Sequence, residues 1–146
     1  MKILVINGPN MNLLGLREPE IYGKKTYKDL VALLQHEADS LGVEISFVQS
    51  NHEGDLVDAI QNAYPETNGI LINPAAYTHT SVAILDALKA VAIPAVEIHM
   101  SNVNERDEFR KTSYVREACI ATCMGKGFDS YIEALHKLLT YLNEAK

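Results

Sequence analysis

The 146 residues fit one domain, with enough chain to bury a sizeable core without staples and too little for a second full domain. A composition that is 47% hydrophobic and 22% charged excludes a disordered chain and a coiled coil. Thirteen basic against nineteen acidic side chains leave a formal charge of −6, which argues against a general nucleic-acid binder. A small anionic substrate is still compatible, because the local field in a cleft counts for more than the total.

The first predicted strand is Ile3–Ile6, an apolar run that reaches polar residues after four positions. That is too short for a signal-peptide core, and no stretch approaches the ~20 apolar residues of a membrane span, so a soluble, cytoplasmic protein is expected. Gly8 to Lys25 follows, eighteen residues where a βα connection usually takes two to six. This segment carries Arg17, Glu18, Pro19 and Tyr22-Gly23, and it reads as a lid over a site. A packed structural loop or a subunit contact is the other reading.

Thr26 opens a helix with Asp29 three residues on, a capping-box arrangement, and Gly42 closes it. Leu30, Leu33, Leu34, Ala38 and Leu41 form its apolar stripe. Strands are then predicted at Val43–Val48, Gly69–Ile72, Ala95–Ile98 and Cys119–Cys123, and helices at Leu56–Ala63, Val82–Val91 and Tyr131–Leu142. Near-continuous apolar strands alternating with helices predict a flavodoxin-like α/β fold: a doubly wound, five-stranded parallel sheet with about five helices on both faces. Strand alternation places Cys119 and Cys123 on one face. No second Cys or His pair stands at zinc-site spacing, so two buried reduced thiols are expected and no metal.

Ligands of open parallel sheets bind outside the carboxyl ends of the strands. Here those ends read Asn7-Gly8-Pro9-Asn10, Gln49-Ser50-Asn51-His52, Asn73-Pro74-Ala75-Ala76-Tyr77-Thr78-His79-Thr80-Ser81 and Glu97-Ile98-His99-Met100-Ser101-Asn102. Four successive clusters of uncharged hydrogen-bonding groups exceed what helix capping requires, and they suit a polyhydroxylated ligand. Each piece also has a plainer reading. Gly8-Pro9-Asn10 is a turn former, Thr80 or Ser81 an N-cap, His79 a surface histidine and His99 a satisfied structural one. Asp86 lies in an apolar helix, either on a solvated face or aimed at a partner. Arg106 and Arg110, four apart, read as a charged helical turn unless an anion docks there.

No G-x-G-x-x-G, G-x-x-x-x-G-K-[ST] or G-x-S-x-G is present, which removes dinucleotide, P-loop and α/β-hydrolase chemistry. No Asp pair follows the first strand, as a phosphoryl-accepting receiver domain would need. His, Tyr, Arg and Asn remain, side chains suited to proton transfer, carboxylate binding and enolate stabilisation.

As a set, these motifs resemble type II 3-dehydroquinate dehydratases nearly end to end. The resemblance is carried by Gly8-Pro9-Asn10-Met11-Asn12-Leu13-Leu14-Gly15 with Arg17-Glu18-Pro19 and Tyr22-Gly23, by Asn73 to Ser81, and by Glu97 to Asn102 with Phe109-Arg110. Met11, Met100 and Ser130 depart mildly from the family's usual residues. The resemblance implies loss of water from 3-dehydroquinate to give 3-dehydroshikimate, in the shikimate pathway. It implies anti elimination through an enolate, without metal, organic cofactor or Schiff base. It further implies Tyr22 as general base, Arg17 as the lid arginine favouring the ionised tyrosine, His99 as general acid, and Asn10 holding a water that stabilises the enolate. Substrate would be bound by Asn73, His79, Ser101 with the Met100 backbone, and Arg110. Asp86 would come from a neighbouring subunit, in trimers grouped into a dodecamer. The chemistry of the residues agrees. A phenol lowered by about two pH units needs roughly 3 kcal/mol from a nearby guanidinium, and Arg17 lies five residues from Tyr22. Rival readings are a flavin- or nucleotide-binding module of the same fold, and an interaction protein with a docking arm.

Overall fold

The computed structural model describes residues 1–16, 20 and 24–145. Its strands are β1 (Lys2–Asn7), β2 (Glu44–Gln49), β3 (Gly69–Asn73), β4 (Ala95–His99) and β5 (Ala121–Met124). They form one parallel sheet in the order β2-β1-β3-β4-β5. The chain therefore winds outward from β1 in both directions, and the switch point lies between β1 and β3. The α-helices described along their length are α1 (Tyr27–Leu41), α2 (Glu53–Ala63), α3 (Val82–Val91) and α4 (Asp129–Glu144), joined to the strands by loops and short 3-10 turns.

Period-two alternation divides the strands between two cores. Ile3, Val5, Leu71, Val96 and Ile98 pack under α1 and α4, while Leu4, Ile6, Ile70, Ile72 and Ala95 pack under α2 and α3. Helix α1 begins as its sequence predicts: Thr26 Oγ1 accepts from Asp29 N–H, and Asp29 Oδ2 accepts from Thr26 N–H at 2.9 Å. Gly42 ends it in the left-handed region at φ 69°, where glycine carries no Cβ penalty. Of the predicted stripe, Leu30, Leu34 and Ala38 are buried, but Leu33 is half-buried and Leu41 exposed, at the edge of the face that meets the sheet.

Two expectations need correction. Cys119 precedes β5 and closes the 3-10 turn Val115–Ala118, so strand alternation does not apply to it. The thiols consequently lie on opposite sides of the sheet, Cys123 in the α1/α4 core and Cys119 against the α2/α3 core. Both are free, and burial pushes them up to about 11 and about 12 respectively, so they stay neutral. Helix α3 is also less covered than its apolar composition suggests. Ser81 caps it, its hydroxyl accepting from Ile84 N–H at 2.9 Å, and Ile84, Leu85, Ala87 and Leu88 are buried. Val82 and Asp86 nonetheless face outward. Among the described residues, no helix is long and apolar enough to cross a membrane.

Candidate active site

The switch point brings the ends of β1 and β3 side by side, with Asn7 opposite Asn73 in register. Beyond it the backbones nearly touch: Gly8 N–H donates to the Asn73 carbonyl at 2.8 Å, and a Cβ on Gly8 would sit 2.4 Å from the Pro74 carbonyl oxygen. Glycine is required there for close approach, which takes Gly8 beyond the role of a simple turn former. Asn10 follows at φ 69°, a conformation asparagine tolerates better than most residues. Its N–H donates to Asn51 Oδ1 at 2.9 Å, and Gln49 Nε2 donates to the Gly8 carbonyl at 3.1 Å. The cluster after β2 thus braces the turn after β1, and neither Gln49 nor Asn51 lines the cavity, contrary to the expectation of four rim segments.

That cavity, of about 100 Å³, opens at the carboxyl ends of β1, β3 and β4. Asn10, Asn73, His79, His99, Met100, Ser101 and Arg110 line it, as expected from the sequence, and so do Met11 and Arg106. Tyr22 and Arg17 lie outside the described residues. Asp86 is not at this cavity; on the outer face of α3 it has no hydrogen bond or ion pair among the described residues. The front of the long connection is packed rather than free, because Met11 and Leu14 are buried in the α1/α4 core.

A hydrogen-bonded network forms the floor. Buried Asn73 donates through Nδ2 to the Tyr131 hydroxyl at 2.9 Å and to Met11 Sδ at 3.6 Å, while its Oδ1 accepts from Ala75 N–H at 3.0 Å. Tyr131 in turn donates to Asn7 Oδ1. Complete burial pushes the Tyr131 phenol far above its ordinary value, so it remains a neutral donor. On one wall, His79 Nδ1 lies 2.7 Å from the Thr112 carbonyl. A carbonyl only accepts, so Nδ1 carries the hydrogen and Nε2 is left as the acceptor. Burial lowers His79 below its ordinary value; the Thr112 bond opposes this, and the His99 and Arg110 charges add to it.

Arg106 and Arg110 do not share a helical turn. Arg106 closes the 3-10 turn Val103–Glu105, and Arg110 belongs to the next, Glu108–Lys111. Arg110 Nε pairs with Asp107 at 3.5 Å and Lys111 with Glu108 at 3.0 Å, both i,i+3. The Arg110 guanidinium also lies 5.0 Å over the Phe109 ring. Lining the cavity, Arg110 offers the planar guanidinium that suits a carboxylate.

The strongest electrostatic feature is one that the sequence reading passed over. Glu97 is fully buried on β4, and its Oε2 lies 2.7 Å from His99 Nε2. Ser113 and Thr78 hydroxyls reach the same oxygen, at 2.5 and 3.0 Å. Oε1 accepts from Arg116 Nε at 2.7 Å and from the Thr122 hydroxyl at 2.8 Å. Burial alone would raise this carboxyl. The hydrogen bonds and charge of His99, with the Arg116 and Ser113 bonds, outweigh it and hold Glu97 far below the usual carboxylate range. An ionised carboxylate only accepts, so His99 Nε2 carries a proton and Nδ1 is the ring's remaining polar atom. The available signal was an acid inside the apolar strand AVEIH, two residues before a histidine and therefore on the same face.

A sequence model of the family described as Dehydroquinase class II matches residues 1–139. The chain belongs to the class II dehydroquinase family. It is 55% identical over 142 residues to a 3-dehydroquinate dehydratase of Carboxydothermus hydrogenoformans, covering 97% of this chain and 92% of that protein. To the 3-dehydroquinate dehydratase of Clostridium acetobutylicum it is 48% identical over 144 residues, or 99% of this chain and 100% of that one. The crystal structure of a type II dehydroquinase from Butyrivibrio crossotus matches with a TM-score of 0.93 at 51% identity, over 94% of this chain and 97% of that one. The doubly wound sheet read from strand alternation is thus the fold of solved dehydroquinases, and a flavin- or nucleotide-binding module is not favoured.

Proposed function

We propose that this chain removes water from 3-dehydroquinate to give 3-dehydroshikimate, as a step of the shikimate pathway. The observation that carries the reading is His99, seated on an ionised, buried Glu97 and facing a cavity that also holds Arg110 and Asn10. The proton to be removed lies α to a ketone, so charge develops as an enolate and needs donors placed beforehand. In this reading the connection between β1 and α1, anchored at its front by Met11 and Leu14, acts beyond that anchor as a lid that brings Tyr22 to the α proton as base, with Arg17 favouring the phenolate. Asn10, held by Asn51, positions a water against the enolate. A hydroxyl leaves poorly as hydroxide, and His99 supplies its proton while Glu97 keeps the ring oriented. Arg110 takes the substrate carboxylate, and His79, Asn73, Ser101 and the Met100 backbone take the hydroxyls. The exposed Asp86 completes the site of a neighbouring subunit in a trimer, with trimers grouped into a dodecamer in the cytoplasm. The elimination proceeds anti, with no metal, cofactor or lysine adduct.

The test is the absorbance of the conjugated enone formed from 3-dehydroquinate, followed with the purified chain. Turnover that persists with a chelator, and with borohydride in the presence of substrate, is the expected result. No enone, or covalent trapping of substrate on a lysine, would overturn the proposal.

A further inference from the structure

The Glu97 carboxylate is shared between a histidine and an arginine, one on each oxygen. His99 meets Oε2 and Arg116 Nε meets Oε1, both at 2.7 Å. Arg116 stands in the 3-10 turn Val115–Ala118 between β4 and β5 and does not line the cavity. Its Nη2 is buried without a hydrogen-bond partner among the described residues. A guanidinium placed there for stability alone would be expected to spend that donor, since an unpaired buried N–H is costly. What Arg116 does contact is the carboxylate that supports His99.

We infer that Arg116 is a positioning residue that sets the pH at which His99 loses the proton it donates. This rests on the reading of His99 as general acid. A carboxylate carries one negative charge, and Arg116 is always protonated. Its bond to Oε1 withdraws part of that charge from the ring, and its own charge opposes a second positive charge on the imidazole. Both effects ease release of the proton to a leaving hydroxyl. The remaining donors to Glu97, from Thr78, Ser113 and Thr122, are neutral hydroxyls. Among the described residues, the other titratable or charged groups facing the pair are His79 and Arg110 across the cavity, Arg106 at its wall, and the neutral Cys119 thiol beside Arg116. Among the described residues, Arg116 is the permanent charge in direct contact with the carboxylate.

The experiment is kcat against pH for the wild type, Arg116→Gln, Arg116→Lys and Thr122→Val. Loss of the guanidinium should move the alkaline limb to higher pH by about half a unit or more, with the acidic limb unmoved. Arg116→Lys keeps the charge and should keep the limb. Thr122→Val removes a neutral bond to the same oxygen and should move it less than Arg116→Gln. An alkaline limb in Arg116→Gln that stays in place or moves to lower pH would overturn the inference. So would a lysine variant displaced as far as the glutamine one. Should Arg116→Gln not fold, the lysine variant decides alone, because a limb shifted upward despite the retained charge contradicts the mechanism. If the wild type does not dehydrate 3-dehydroquinate, the functional reading fails separately. The His99 ring titration, followed by NMR in wild type and variants, then tests Arg116 without turnover, with the same directions expected.

Discussion

Tyr131 and Asn73 are joined by a 2.9 Å hydrogen bond in which the amide of the strand end donates to a phenol from the opposite end of the chain. Because Tyr131 also donates to Asn7 Oδ1, one buried hydroxyl ties together the ends of β1 and β3, where the cavity begins. Tyr131→Phe keeps the packing but strands two buried amide groups, each worth about 1–3 kcal/mol when unpaired. The expected result is a stability loss of about 2–4 kcal/mol in denaturant unfolding, with a raised KM as Asn73 is freed to turn. A loss below about 0.5 kcal/mol would show that the network carries no weight.

Glu97 makes stability depend on pH in a defined direction. Its folded value is depressed, so its contribution is present above about pH 4.5, its ordinary value, and is lost as pH falls toward the folded value. Thermal melts should show the wild type losing stability below about pH 4.5 more steeply than Glu97→Gln, which should be less stable at neutral pH. The same variant should lower kcat about 10- to 100-fold, part of what acid–base catalysis contributes, because glutamine orients the ring without charge. Parallel melting curves from pH 7 to pH 3 would contradict the assignment.

Tyr22→Phe should lower kcat by about 10²- to 10⁴-fold with a much smaller effect on substrate binding, since a positioned base acts in the transition state. Steady-state kinetics with a separate measurement of product-analogue affinity checks both halves. A phenylalanine variant that keeps more than about a tenth of wild-type kcat would remove Tyr22 from the mechanism.

Asp86→Ala should lower both activity and assembly mass, although the residue is exposed in the single chain and a surface substitution ordinarily changes stability by at most about 0.5 kcal/mol. Sedimentation and kinetics on the same sample decide. Unchanged mass with unchanged kcat/KM would leave Asp86 as part of a solvated helix face.

Much of the frame was legible before any coordinates. Capping by Thr26 and Asp29, the Gly42 stop and the apolar runs of β1, β3 and β4 are local signals, because a capped helix and a doubly covered strand constrain residue types at fixed spacing. The polar residues after β1, β3 and β4 could also be placed, since a parallel sheet sends all its strand ends to one edge. Sequence spacing did not decide what meets across the fold. Cys119 does not share a face with Cys123 because a turn interrupts alternation, and the outward faces of Leu41 and Asp86 depend on where the sheet ends beneath the helices. Whether Glu97 is a buried flaw or an ionised support for His99 depends on Thr78, Ser113, Arg116 and Thr122, which approach from other elements. A buried charge is tolerated only when such distant donors converge on it, and that convergence is a property of the tertiary structure.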